Sequence, residues 1–135
     1  MVTVRMLILN NKGHLLVTAD GNYLRIPYKV CMSDESYESL EEAASMCLRN
    51  DFNIEDIRPT DFYLYYMSNH IENNELFLNI TYRGNSKIHK LTNQNLSARF
   101  LELREVKKNI DLFTDLEDQQ VIRRFIIRED NPTLL

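Results

Sequence analysis

The side chains best spaced to do chemistry together fall in one helical stretch. Cys47, Asn50 and Asp51 stand at i, i+3 and i+4, which puts all three on one helix face near its C-terminal end. Three carboxylates so arranged would hold Mg²⁺ or Mn²⁺, hard cations that take oxygen ligands and bridge a diphosphate while positioning an attacking water. A thiol, an amide and one aspartate offer a single anionic oxygen ligand. Neutralising two of three such ligands removes several kcal/mol of metal binding and transition-state stabilisation, on the order of thousands-fold in rate. A soft, thiolate-bound metal is poorly served as well, because the group has one sulfur and no histidine nearby in sequence. The competing reading makes Cys47 a small core residue and Asp51 a solvated helix-end residue.

Two further residues are candidates to touch a ligand. Arg25 precedes a turn at Pro27, where it meets a phosphate or sits exposed. Tyr65 belongs to Phe62-Tyr63-Leu64-Tyr65-Tyr66, a strand-like run whose alternate residues face opposite sides. One face must be core; the other can stack on a nucleobase or simply pack. His14, His70 and His89 have no motif around them, so neither a Ser/His/Asp nor a Cys/His constellation can be argued.

Composition excludes several function classes. The 135 residues carry 16 Lys+Arg against 20 Asp+Glu, a net charge of −4 that argues against general nucleic-acid binding, which needs a basic surface. With 44% hydrophobic and 27% charged residues, residues 1–135 read as one globular domain. No apolar run is long enough for a membrane span, and the first residues lack a secretory pattern. Two cysteines are too few for a disulfide framework, so the expected location is cytoplasmic, with reduced thiols. There are three glycines, and none lies between 22 and 83, which excludes glycine-rich phosphate loops of the Walker and dinucleotide-binding types.

The elements that must position these residues follow from pattern. Residues 2–9 read as a buried strand, Asn10 to Gly13 as a turn, and 14–19 as its antiparallel partner. A short strand through Tyr23 to Ile26 should end at Pro27, which has no N–H to donate. Leu40, Ala43, Ala44, Cys47 and Leu48 recur at helical spacing, predicting a helix over 36–51 with capping side chains between Ser33 and Ser36 and a left-handed stop at Asn53. The acids Glu38, Glu41 and Glu42 suit the positive end of that helix dipole as a solvated face. Residues 61–67 and 76–82 read as a hairpin joined by a polar loop over 68–75, with a second loop over 83–96 and a strand over 98–103. Thr114-Asp115-Leu116-Glu117 matches a capping box opening a last helix, with Leu116, Val121, Phe125 and Ile126 facing inward. The expected class is α+β, a mixed sheet between helices, and its exposed sheet edges suit pairing with a second copy.

That order of elements resembles the Nudix hydrolase superfamily, an α/β/α sandwich. The family's box reads G-x5-E-x7-R-E-U-x-E-E-x-G-U, with U aliphatic. Leu24 to Val30 resembles the approach to the box, with Tyr28 and Lys29 where two glycines would be. Asp34-Glu35-Ser36 resembles the usual entry, Glu42-Ala43-Ala44 the acidic-Ala-Ala stretch, and Leu48 and Ile54 fill the aliphatic positions. Aligned on Ala43-Ala44, the Arg-Glu pair falls on Met46 and Cys47, the Glu-Glu pair on Asn50 and Asp51, and the closing glycine on Asn53. The first box glutamate falls on Glu38, or on Glu35 with an insertion of about three residues before the helix. The resemblance therefore implies catalytic roles for Asp51 and Glu38, a metal role for Asp51, and Mg²⁺ or Mn²⁺ if the chain hydrolyses. Glu75 and Glu105 are the acids that later segments can contribute. The box is degenerate, and the function implied is binding of a nucleoside-diphosphate-type ligand with weak or no hydrolysis. The alternatives are an active hydrolase with an atypical metal site and a small protein-interaction domain.

Overall fold

The computed structural model describes residues 1–32, 37–88, 91 and 97–130. The fold assembles around β1 (Val2–Leu9), whose apolar residues alternate between two faces: Val4, Met6 and Ile8 on one, Leu7 and Leu9 on the other. Along one edge, β1 pairs in parallel with β6 (Glu75–Asn85), from Val2↔Leu78 to Leu9↔Asn85. Along its other edge it meets β4 (Tyr28–Cys31), then the Pro27 carbonyl, which accepts the Met6 N–H at 2.9 Å, then the start of β2 (Leu15–Asp20). β2 also pairs with β3 (Tyr23–Arg25) and β7 (Ala98–Leu101), and β5 (Tyr63–Glu72) closes the far edge beside β6. The β2–β3 pairing stops at Arg25, one residue short of the expected Ile26, and after Pro27 the chain switches partner and resumes as β4 against β1.

The sheet lies between helices. On one face, α1 (Leu40–Phe52) packs Ala43, Ala44, Cys47, Leu48 and Phe52 against Val4, Met6, Ile8, Ile80 and Tyr82. On the other, α2 (Leu103–Lys108) and α3 (Leu116–Asp130) deliver Val106, Val121, Ile122 and Phe125 onto Leu7, Leu15, Val17, Leu24 and Ile26. This is the expected α+β class, a seven-stranded mixed sheet within an α/β/α sandwich.

Local chemistry sets the boundaries. α1 is capped by Ser39, whose Oγ accepts the Glu42 N–H at 3.0 Å, and it stops where Asn53 turns left-handed at φ 58°. The helix therefore starts later than the 36–51 spacing suggested; residues 33–36, where capping was expected, lie outside the described residues. The polar stretch 68–75 is strand rather than loop. Only Asn73 and Asn74 turn, both at positive φ (52° and 62°), the geometry of a tight hairpin whose twist matches its strands. Gly84 likewise belongs to β6, where an added Cβ would come within 3.2 Å of Ile8 Cδ1 and 3.3 Å of Phe62 Cε1. The strand expected over 98–103 stops at Leu101, and α2 follows.

The cap of α3 is displaced by one residue from Thr114. The Asp115 side chain accepts the Asp118 N–H at 3.0 Å, and Gln119 N–H reaches the Asp115 carbonyl at 3.1 Å. At ~100° per residue, Leu116 falls off the face that Asp118, Val121, Ile122 and Phe125 share, so Leu116, expected inside, is 73% exposed and Asp118 is fully buried instead.

Candidate functional site

The helix face picked out by spacing does border a cavity. Met46, Cys47, Asn50 and Asp51 on α1 face Lys29 on β4 and Tyr37 across a cleft of about 120 Å³. Lys29 was recognised in sequence only as a replacement for a glycine. The pairing of β4 with β1 is what brings its ammonium beside the end of α1.

Within the cleft, Cys47 is 7% exposed and donates its thiol hydrogen to Asp51 Oδ2 at 3.4 Å. Burial pushes the thiol up to about 12, the neighbouring Asp51 charge and hydrogen bond add to this, and Lys29 opposes it. Without a bound metal, Cys47 therefore sits in the cleft as a neutral donor at pH 7. Asp51 and Asn50 are exposed at the mouth.

The remaining sequence candidates lie elsewhere. Glu38 is exposed ahead of α1, with its backbone N–H donated to Glu42 Oε2 at 2.9 Å, and it does not line the cleft. Glu41 is not merely solvated, because the Tyr82 hydroxyl donates to its carboxylate. Glu75 sits at the hairpin tip across from Glu72, and Glu105 lies on α2 on the opposite side of the sheet. Glu35 falls outside the described residues. Tyr65 is on the α3 face, with its ring 6.1 Å from Phe125. The simple alternation expected for 62–66 is broken by a register shift between Leu64 and Tyr66, so Tyr65 and Tyr66 both pack toward α3.

Arg25 also faces α3, in a charge cluster the sequence reading did not anticipate. Its Nε donates to Asp118 Oδ2 at 3.0 Å and its Nη2 lies 3.3 Å from Asp115 Oδ2, with its guanidinium 4.1 Å from the Tyr28 ring centroid. Buried Arg5 completes the cluster, donating to Asp118 Oδ1 at 2.7 Å, Asp115 Oδ1 at 3.0 Å and Asn79 Oδ1 at 2.7 Å. Asp118 further accepts the Ile26 N–H at 3.0 Å. Burial works against ionisation of Asp115, but the Asp118 backbone N–H and the two guanidiniums outweigh it and hold that carboxyl below its ordinary value. For Arg25, burial is likewise outweighed by Asp118 and Asp115, which raise its pKa. One signal was available: an arginine inside the apolar run of β1 must find buried anionic partners.

The cleft beside α1 does not fit a Mg²⁺ or Mn²⁺ ion. Its donors are one carboxylate, one amide and a protonated soft sulfur, with a lysine lining the same space. Among the described residues, no group of three His, Cys, Asp or Glu side chains converges to hold a metal.

No protein-family model matches the chain, and no curated protein matches it. Solved structures do. The MutT protein from Methanosarcina mazei Go1 superposes with a TM-score of 0.71 at 16% identity, covering 97% of this chain and 95% of that one. The Nudix domain of Shewanella oneidensis NrtR, complexed with ADP ribose, gives 0.70 at 12% identity, covering 95% and 87%. A Nudix hydrolase from Nitrosomonas europaea gives 0.68 at 14% identity, covering 93% and 88%. Among the described residues, no helix is long and apolar enough to cross a membrane. The parallel β1–β6 pair, the flanking helices and these superpositions establish that the chain has the Nudix fold.

Proposed function

We propose that this Nudix-fold protein binds a nucleoside-diphosphate-type ligand whose phosphates, rather than the whole ligand, enter the small cleft beside α1, with weak or no hydrolysis. The observation that carries this reading is the charge inventory of the cleft: Asp51 as its one carboxylate, Cys47 held neutral, and Lys29 as its cation. A hydrolase of this fold would neutralise phosphate charge and place water with a caged divalent ion. Here a lysine ammonium can meet a phosphate directly as a point charge, with Asn50 donating a hydrogen bond. Such a site stabilises bound phosphate without activating water. The NrtR domain, complexed with ADP ribose, supports the ligand class by likeness of fold.

The test is turnover. With Mg²⁺ or Mn²⁺, the purified protein should show little hydrolysis of nucleoside triphosphates or nucleotide sugars. Rapid turnover abolished by Asp51→Asn would replace this reading with an atypical metal-dependent hydrolase. No change in melting temperature with any nucleotide would favour an interaction domain, since a ligand that binds only the native state must raise it.

A further inference from the structure

A second cavity, of about 520 Å³, lies between β5 and the exposed side of α3, on the opposite face of the sheet from α1. Its walls bring together Arg123, Arg124 and Arg128 with Tyr66 and Ile127. Arg128 also lines a neighbouring cavity of about 280 Å³ that holds Tyr63 and Arg83. This concentrates four arginines in a chain whose net charge is −4.

We propose that this cavity is a binding site for a small phosphorylated molecule carrying an aromatic ring, with a nucleoside diphosphate as the fitting size and chemistry. Three observations carry the assignment. First, the guanidiniums are held against rings: Arg124 lies 4.4 Å from the Tyr66 centroid, Arg128 5.2 Å from Tyr65 and Arg83 5.2 Å from Phe125. A guanidinium laid on an aromatic ring is ordered before a ligand arrives and keeps its in-plane N–H fork for phosphate oxygens. Second, these arginines are only partly neutralised. Arg83 and Arg123 have distant carboxylates, Glu129 at 3.8 Å and Asp111 at 3.9 Å. Among the described residues, neither Arg124 nor Arg128 has a carboxylate within ion-pair distance. Third, the bulge at Tyr65 turns two consecutive tyrosines toward α3, supplying the ring beneath each of these two arginines. Ile127, exposed in the cavity, gives an apolar wall against which a base can lie.

The charge is also local, which favours a compact ligand over a nucleic-acid strand. Glu129 and Asp111 flank the arginines, so a polyanion leaving the cavity would run onto acidic side chains.

Calorimetric titration with ADP, pyrophosphate, adenosine and an eight-nucleotide dT strand tests this, with NMR shifts locating the site. ADP should perturb β5 and α3, bind tighter than pyrophosphate and far tighter than adenosine. Arg124→Gln/Arg128→Gln should weaken binding there by about tenfold or more. Arg124→Gln alone, at an exposed position, should cost a smaller factor, and Arg124→Lys should recover part of it. Lys29→Met in the α1 cleft should leave this site unchanged, which separates the fate of this proposal from that of the preceding one. Absence of shifts on β5 and α3, undiminished affinity in both glutamine variants, or tighter binding of the dT strand than of ADP would overturn it.

Discussion

The two faces of the sheet treat charge in opposite ways. On the α3 face, Arg5, Arg25, Asp115 and Asp118 are drawn together into an interlocked set in which Asp118, fully buried, receives three donors. On the α1 face, the cleft has a single carboxylate at its mouth, a thiol forced neutral and a lysine. Buried ionic groups tie the chain's ends together in the first case, since Arg5 and Asp118 are 113 residues apart. In the second, the place where carboxylates could cage a cation has been left nearly neutral. Paired charge thus holds the fold on one side of the sheet, while the cleft on its other side carries one carboxylate and one lysine.

The contrast breaks most sharply at Asp118. Asp118→Asn leaves two guanidiniums, one of them buried, with only the partly exposed Asp115 carboxylate between them, and should destabilise by about 3–5 kcal/mol in urea denaturation. Asp115→Asn should cost less, about 1 kcal/mol, because that side chain is 30% exposed and its pairs are partly screened. Its pH signature has a definite sign. The folded-state pKa is lowered from 3.8, so the native state binds fewer protons than the unfolded state just below that pH. The contribution is therefore present above pH 3.8 and lost as the pH falls through the lowered value, and Asp115→Asn should flatten the acid limb of stability against pH. The smallest effect belongs to the other face. Asp51→Asn should change stability by no more than about 0.5 kcal/mol, yet speed alkylation of Cys47 near pH 8, because it removes the charge and hydrogen bond that help hold the thiol protonated.

How far the sequence could be read follows the same division between local and distant causes. The apolar spacing of Leu40, Ala43, Ala44, Cys47 and Leu48 and the stop at Asn53 are local, and α1 forms where they indicate. The cluster of Cys47, Asn50 and Asp51 was legible for the same reason. Lys29 was not, since its place in the cleft depends on β4 joining β1 through Val4↔Lys29, a pairing no local pattern announces. The strand extending over 68–75 was hidden because an edge strand with polar side chains has the composition of a loop. The fate of Tyr65 depended on one bulge, which cancels the period-two rule at that point. Arg25 was singled out beside its turn, but its partners are Asp115, which caps α3, and Asp118, which shares the buried face of α3 with Val121, Ile122 and Phe125, both far from Arg25 in sequence.

The most direct test of the central claim is thermal melting with ADP, in EDTA and in Mg²⁺, using Arg124→Gln/Arg128→Gln as background so that only the α1 cleft reports. The account predicts an equal rise in melting temperature in both conditions and its loss in Lys29→Met. A rise that requires Mg²⁺ and disappears in Asp51→Asn would contradict it.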